Sequence, residues 1–216
     1  MNVVVIHGDG QALLTMRAPL LTRLVELGHK VHVLAPLAPL ADAAADVDTV
    51  AAIEALGVEH ATYPLTRGRF SPLADLGTLL HLKQVLYRIK PDVVLCISHK
   101  PMTFGPMAAR MTWVDHPKRI YALVTGLGYP FTEMSGWKRR VVHAYSKYFI
   151  GGGFGACHGI VFRSEEDRAF FRAFGVLPEN AATAVIDEPL FREGGPADSE
   201  AMAVSTEALL SFMQLV

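Results

Sequence analysis

The sequence predicts a doubly wound α/β domain, a mainly parallel sheet wrapped by helices, followed by a C-terminal tail helix. Short β-branched runs alternate with helix-length segments about six times along the chain, and parallel strands need helical crossovers between them. Several of those runs are apolar throughout instead of alternating, as strands are when helices cover both faces of a sheet. The 216 residues are 51% hydrophobic and 19% charged, with mean hydropathy +0.28, which supplies a sizeable core and excludes intrinsic disorder.

The elements follow in chain order. Strands are expected at residues 3–6, 31–35, 58–63, 93–97, 120–124, 160–162 and 183–186, each a β-branched run of strand length. Helices are expected at 13–27, 73–89, 102–112, 135–149 and 165–174. The stretch 78–86 repeats its leucines at helical spacing, and Lys90-Pro91 ends that helix because proline disfavours helical backbone in the residue before it. Gly151-Gly152-Gly153-Phe154-Gly155 reads as a flexible connector between a helix and a strand. Composition changes at Asp187, where Asp187-Glu188-Pro189 and Gly194-Gly195-Pro196 form a linker. The chain is therefore divided into a domain over 1–186 and a linker with tail helix over 187–216. That helix presents Met202, Leu209, Phe212 and Met213 and must dock on the domain.

Composition also limits function. Twenty Lys and Arg against 21 Asp and Glu leave a net charge of −1, so no global field holds nucleic acid. Cys96 and Cys157 are too few for a disulfide scaffold and fit a reducing cytosol as buried thiols. The opening residues carry no basic leader before a long apolar stretch, and no run reaches the roughly 18 to 20 apolar residues of a membrane span. A cytoplasmic protein is expected, with any membrane contact peripheral.

Ligands of open parallel sheets bind beyond the carboxyl ends of the strands. The first, fourth and fifth strands end at His7-Gly8-Asp9-Gly10, Ser98-His99-Lys100-Pro101 and Thr125-Gly126-Leu127-Gly128. Gly8, Asp9 and Gly10 either let backbone amides approach a phosphate or sugar hydroxyl or make a plain strand-to-helix turn. His99 and Lys100 supply an imidazole and a cation suited to diphosphate or hydroxyl contacts, or form a solvated loop. Thr125, Gly126 and Gly128 line a site with backbone or serve only as a turn. On the helix at 135–149, Trp137, Val141, Tyr145 and Tyr148 share one face beside Arg140, His143 and Lys147, a pattern that suits an anionic membrane surface or packing on the sheet. Arg67-Gly68-Arg69 adds charge to a loop.

Other chemistries are disfavoured. Leu13 stands where a dinucleotide fingerprint needs its third glycine, and Ala35-Pro36 supplies no acid for a ribose, so an NAD-dependent oxidoreductase is not supported. There is no phosphate-binding Gly-x-x-x-x-Gly-Lys-Ser/Thr. Nine histidines without His-Glu-x-x-His or Cys-x-x-Cys predict no metal site, and no cofactor is expected.

Taken in order, several segments resemble the N-terminal domain of family 4 glycosyltransferases, retaining enzymes of the GT-B fold with Rossmann-like halves. They are the first Gly-rich turn with Arg17-Ala18-Pro19-Leu20, Leu27-Gly28-His29-Lys30-Val31, Pro72-Leu73-Ala74-Asp75-Leu76, Lys90-Pro91-Asp92-Val93-Val94, His99-Lys100-Pro101 and Thr125-Gly126-Leu127-Gly128-Tyr129-Pro130-Phe131. The last two are most similar to the subgroup acting on undecaprenyl-diphosphate-linked sugars. The resemblance covers residues 1–186 and implies transfer of a sugar from a nucleotide sugar to a lipid-linked or polysaccharide acceptor, at the inner face of the plasma membrane. It implies that this domain holds the acceptor, with Gly8, Asp9, Gly10 and Arg17 at the first loop, His99 and Lys100 on the acceptor side, and Thr125, Gly126 and Gly128 in the interdomain cleft. Trp137, Arg140 and Lys147 are the membrane-facing candidates. No catalytic base is assigned, because many relatives carry a histidine where this sequence has Thr125-Gly126.

The family's donor half, with its two glutamates eight positions apart, has no counterpart in these 216 residues. The tail helix is expected to be the one that in GT-B enzymes crosses back onto the N-terminal domain. Turnover by the isolated chain is not expected. The alternative is a non-catalytic acceptor-binding subunit, or a degenerate partner, of a two-subunit glycosyltransferase. A donor-domain partner chain and a homo-oligomer joined through exposed apolar surface are the other expected partners.

Overall fold

The computed structural model describes residues 1–36, 43–66, 71–112, 118–126, 136–186 and 199–215. Seven parallel strands, β1 (Asn2–His7), β2 (Lys30–Leu34), β3 (Glu59–Ala61), β4 (Val93–Ile97), β5 (Arg119–Val124), β6 (Gly159–Phe162) and β7 (Ala182–Val185), lie in the order β3-β2-β1-β4-β5-β6-β7. The order reverses between β1 and β4, which pair from Val3 with Val93 to His7 with Ile97. At that reversal the connections leave in opposite directions and open a crevice at the carboxyl edge.

Among the described residues seven helices fill the two faces: α1 (Gly10–Glu26), α2 (Ala43–Ala55), α3 (Pro72–Ile89), α4 (His99–Met111), α5 (Gly136–Ala156), α6 (Glu165–Ala173) and α7 (Ser199–Phe212). Side chains of a strand point alternately to its two faces, so the core divides in two. Val3, Val5, Val93, Leu95 and Ile97 pack with Leu13, Leu21 and Leu24 of α1, Ile53 of α2 and Leu209 and Leu210 of α7. Val4, Ile6, Val94 and Cys96 pack with Leu79, Leu82 and Leu86 of α3 and Phe104, Ala108 and Ala109 of α4. Farther along that second face, Ala122, Val124, Ile160 and Phe162 meet Ile150 and Phe154 of α5 and Phe171 of α6.

Two expectations need correction. Residues 43–55 form a helix that periodicity does not mark, since alanine occupies so many of its positions. The glycine-rich run 151–155 is no connector, because α5 continues through it to Ala156. A Cβ on Gly153 would lie 2.6 Å from the Thr103 carbonyl oxygen and 2.8 Å from that of Met102. Glycine there allows the backbones of α4 and α5 to touch, and packing against α4 outweighs its weak helix propensity.

The tail docks as expected. Met202, Leu209 and Met213 are buried and Phe212 partly so, with Arg23 Nε 2.6 Å from Glu207. The end of the tail closes the amino edge of the sheet. Arg119 donates to the carbonyls of Met213 and Gln214 at 3.1 and 3.2 Å, His29 meets that of Leu215 at 3.2 Å, and the Phe212 ring fills the space a Cβ on Gly159 would take.

Candidate functional site

β1 delivers His7 to the carboxyl edge, where Gly8 meets Ser98 at the end of β4. The Gly8 amide donates to Ser98 Oγ at 3.1 Å, and a Cβ on Gly8 would stand 2.6 Å from that oxygen, so this position accepts only glycine without rearrangement. Ser98 itself holds φ +77° and ψ 167°, a region that strains any residue with a Cβ. That backbone conformation turns the chain directly into α4 and is held in part by the hydrogen bond from Gly8 to the hydroxyl. The Tyr63 hydroxyl donates to the His7 carbonyl at 2.8 Å, and His7 Nδ1 lies 2.7 Å from the Asp9 carbonyl oxygen. Asp9 caps α1 by accepting from the Ala12 amide at 2.9 Å.

His7, Gly8, Asp9, Ala12, Met16, Arg17, Ser98 and Thr125 line an open cleft of about 320 Å3 at the switch point. Four expected residues therefore converge: Gly8, Asp9, Arg17 and Thr125. Arg17 is almost wholly buried, which is uncommon for arginine, and also lines the groove between α1 and α7. Neither α1 nor α4 has an acid in its first turn, and no side chain caps the Ser98 end of α4. The Asp9 carboxylate occupies the positive end of α1, so the end of the α4 dipole at Ser98 is the one suited to an anion.

His99 opens α4 beside Ser98. Burial first, and the Lys100 charge second, push its imidazole down to about 4, so it is neutral at pH 7 and suited to hydrogen bonding a hydroxyl. Thr103 Oγ1 donates to its carbonyl at 2.8 Å.

The remaining expected residues lie elsewhere. Gly10 is buried under the loop toward Ala35, Pro36 and Thr49. Lys100 turns from the cleft to pair with Asp75 of α3 at 2.5 Å, and the Tyr145 hydroxyl of α5 donates to the other Asp75 oxygen at 3.1 Å. Lys100 thus ties α3, α4 and α5 together, and Tyr145 points inward instead of sharing the outer face of Val141 and Tyr148. Burial and the Asp75 carboxylate push the Tyr145 phenol up. Gly126 follows Thr125 with φ +145°. Gly128, Arg67, Gly68, Arg69 and the side chain of Trp137 lie outside the described residues. Arg140 is exposed on α5, while Lys147 sits 6.0 Å over the Phe174 ring.

Cys96 and Cys157 are free thiols, both raised by burial. Among the described residues no group of three His, Cys, Asp or Glu side chains converges on a metal-sized site, and no helix is long and apolar enough to cross a membrane. Residue-type motifs did not single out His7, Ser98, Ala12 and Met16 as cleft-lining residues; the position of the first two at strand ends is the signal that marks them.

Comparisons with known proteins give the family of the chain. The model of Glycosyltransferase Family 4 matches residues 19–184. The chain belongs to glycosyltransferase family 4. Over 125 residues it is 31% identical to N,N'-diacetylbacillosaminyl-diphospho-undecaprenol alpha-1,3-N-acetylgalactosaminyltransferase of Campylobacter jejuni, a match covering 58% of this chain and 32% of that protein. The family 4 chain thus spans about a third of that curated relative.

Solved structures carry the same fold at identities too low to say more. Sucrose-phosphate synthase of Thermosynechococcus elongatus superposes with TM-score 0.59 at 8% identity, covering 100% of this chain and 99% of that one. UGT2 of Phytolacca americana, complexed with UDP-2fluoro-glucose and pterostilbene, gives 0.56 at 12%, covering 89% and 55%. UDP-GlcNAc 2-epimerase of Neisseria meningitidis, bound to UDP-GlcNAc, gives 0.54 at 15%, covering 100% and 52%.

Proposed function

We propose that this family 4 chain is the acceptor-binding domain of a hexosyltransferase that moves a sugar from a nucleotide sugar to a lipid-linked acceptor. The observation that carries the reading is the switch-point cleft, where the buried Arg17, the Gly8 turn and the N-terminal end of α4 at Ser98 meet beside space for a diphosphate, with neutral His99 next in sequence to Ser98. The likeness to a diphospho-undecaprenol sugar transferase supports reading that diphosphate as the one joining the acceptor sugar to its polyprenol. Residues 1–186 then form the acceptor domain, and α7 is the helix that returns to it.

Catalysis in this reading is positional and electrostatic. The cleft holds the acceptor hydroxyl in line with the donor, and the leaving diphosphate is stabilised by a donor-binding unit supplied from elsewhere in the protein or by a partner chain. A polyprenol acceptor brings the protein to the inner face of the plasma membrane, where Arg140 and Lys147 make peripheral contact.

Calorimetric titration tests the reading. The 216-residue chain is expected to bind a short-chain polyprenyl-diphosphate-sugar analogue saturably, with a matching rise in melting temperature, and to turn nothing over by itself. Tight binding of a nucleotide sugar with no response to the analogue would contradict the assignment of this half to the acceptor.

A further inference from the structure

The net charge of −1 conceals a segregation between the two faces of the sheet. The sequences of α3, α4 and α5 contain eight lysines and arginines and one carboxylate, and that carboxylate, Asp75, is buried against Lys100. The sequences of α1, α2 and α7 contain six carboxylates and two arginines. The α3–α4–α5 part of one helical layer is strongly basic, α6 beyond it adds three carboxylates and two arginines, and the opposite layer is acidic.

The basic layer also exposes apolar side chains in order. On α3, Leu73, Leu76, Leu80 and Tyr87 are 50 to 85% exposed, and their spacings of three, four and seven residues place them on one stripe, roughly 20 Å long. The stripe lies opposite the inward face of Asp75, Thr78, Leu79, Leu82 and Leu86. At its end Lys90 Nζ lies 5.9 Å over the Tyr87 ring, so a cation and its apolar platform point outward together. Across α4, which packs between α3 and α5, Val141 and Tyr148 of α5 are 47% and 74% exposed beside the exposed Arg140 and Lys147.

We infer that the outward face of the α3–α4–α5 layer is a docking surface for an anionic phospholipid bilayer, with the α3 leucines entering the acyl boundary and the surrounding cations resting on headgroups. Apolar residues ringed by Lys and Arg, without an exposed acid on the same helices, match the two attractions a bilayer surface offers. A symmetric pair of chains would set one basic layer against another, and like charges oppose that contact. The inference deepens the membrane contact of the proposed function and rests on it, while moving the apolar anchor from α5 to α3.

Flotation of the full chain with phosphatidylcholine vesicles and with equimolar phosphatidylcholine–phosphatidylglycerol vesicles tests it. Neither vesicle contains a lipid-linked sugar, so the result is independent of the acceptor cleft, which the soluble analogue probes separately. Binding is expected to the anionic vesicles alone and to weaken as salt rises. The triple variant Leu73→Ser, Leu76→Ser, Leu80→Ser is expected to keep the wild-type melting temperature and analogue affinity and to lose about tenfold or more in vesicle binding. Val204→Ser, at an exposed position of the acidic layer, is expected to bind as wild type. Absence of vesicle binding, equal binding to both vesicles, or an undiminished triple variant would overturn the inference. So would self-association by light scattering that the triple variant abolishes, since the stripe would then belong to a second copy or to the acidic layer of a neighbour.

Discussion

The two edges of the sheet are made by the same seven strands and end in opposite ways. At the amino edge the tail closes everything: Arg119, His29 and Tyr121 hydrogen bond its last carbonyls, and Phe212 packs on Gly159. At the carboxyl edge, Gly8, Ser98 and Thr125 leave a cleft that α1 and α4 face with their N-termini. Backbone polarity explains the difference. Each helix runs back against the strands, so the carboxyl edge collects positive dipole ends. The amino edge collects carbonyls, which an arginine and a histidine from the chain itself can satisfy. One edge is closed by the chain itself, and the other is where the proposed function places the acceptor.

Truncation after residue 198 strikes the closed edge hardest. It removes Leu209, Leu210, Met213 and Leu215, all buried, and full burial of such side chains contributes about 1.5 to 3 kcal/mol each against a total margin of about 5 to 15 kcal/mol. Cooperative melting should be lost by circular dichroism; an unchanged melting curve would refute the docking of α7. Gly153→Leu comes next. Its side chain meets the backbone carbonyls of Thr103 and Met102, and overpacking against such fixed atoms costs about 3 kcal/mol in a denaturant midpoint series.

At the open edge the effects move from stability to binding. Gly8→Val pushes a side chain into Ser98 Oγ and the mouth of the cleft, so analogue affinity should fall about tenfold or more for about 1 to 2 kcal/mol of stability. If affinity survives, the ligand does not sit on the β1–β4 junction. A separate effect at this edge is a pH dependence. His99 has a folded pKa of about 4 against an ordinary 6.5. Between those values the unfolded chain takes up the proton first, so stability rises with pH across the window and is lost as pH falls through it. Melting temperatures from pH 7 to 4 should show this slope, and His99→Gln should reduce it, the remainder coming from His32, His60 and His158, which burial also lowers.

The contrast between the edges was only partly legible in the sequence. The strands carry their own apolar signatures except β3, which is Glu59-His60-Ala61, and the strand ends at His7, Ser98 and Thr125 define the crevice once the sheet is parallel. Helix α2 was not legible because its alanines sort to no face, nor was the helical glycine run, whose reason is the backbone of α4. Lys100 was placed at the crevice because its strand ends there. Its partner Asp75 lies on another helix, and only the fold brings the two together. Side-chain direction was the information that local pattern lacked.

Hydrogen–deuterium exchange of the full chain, with and without the short-chain polyprenyl-diphosphate-sugar analogue, tests the central claim most directly. If the carboxyl edge holds the acceptor, protection should increase at residues 8–12 and 98–103, with the amino edge and α7 unchanged. Protection confined to α7 and the amino edge, or none at analogue concentrations that saturate a calorimetric signal, would contradict it.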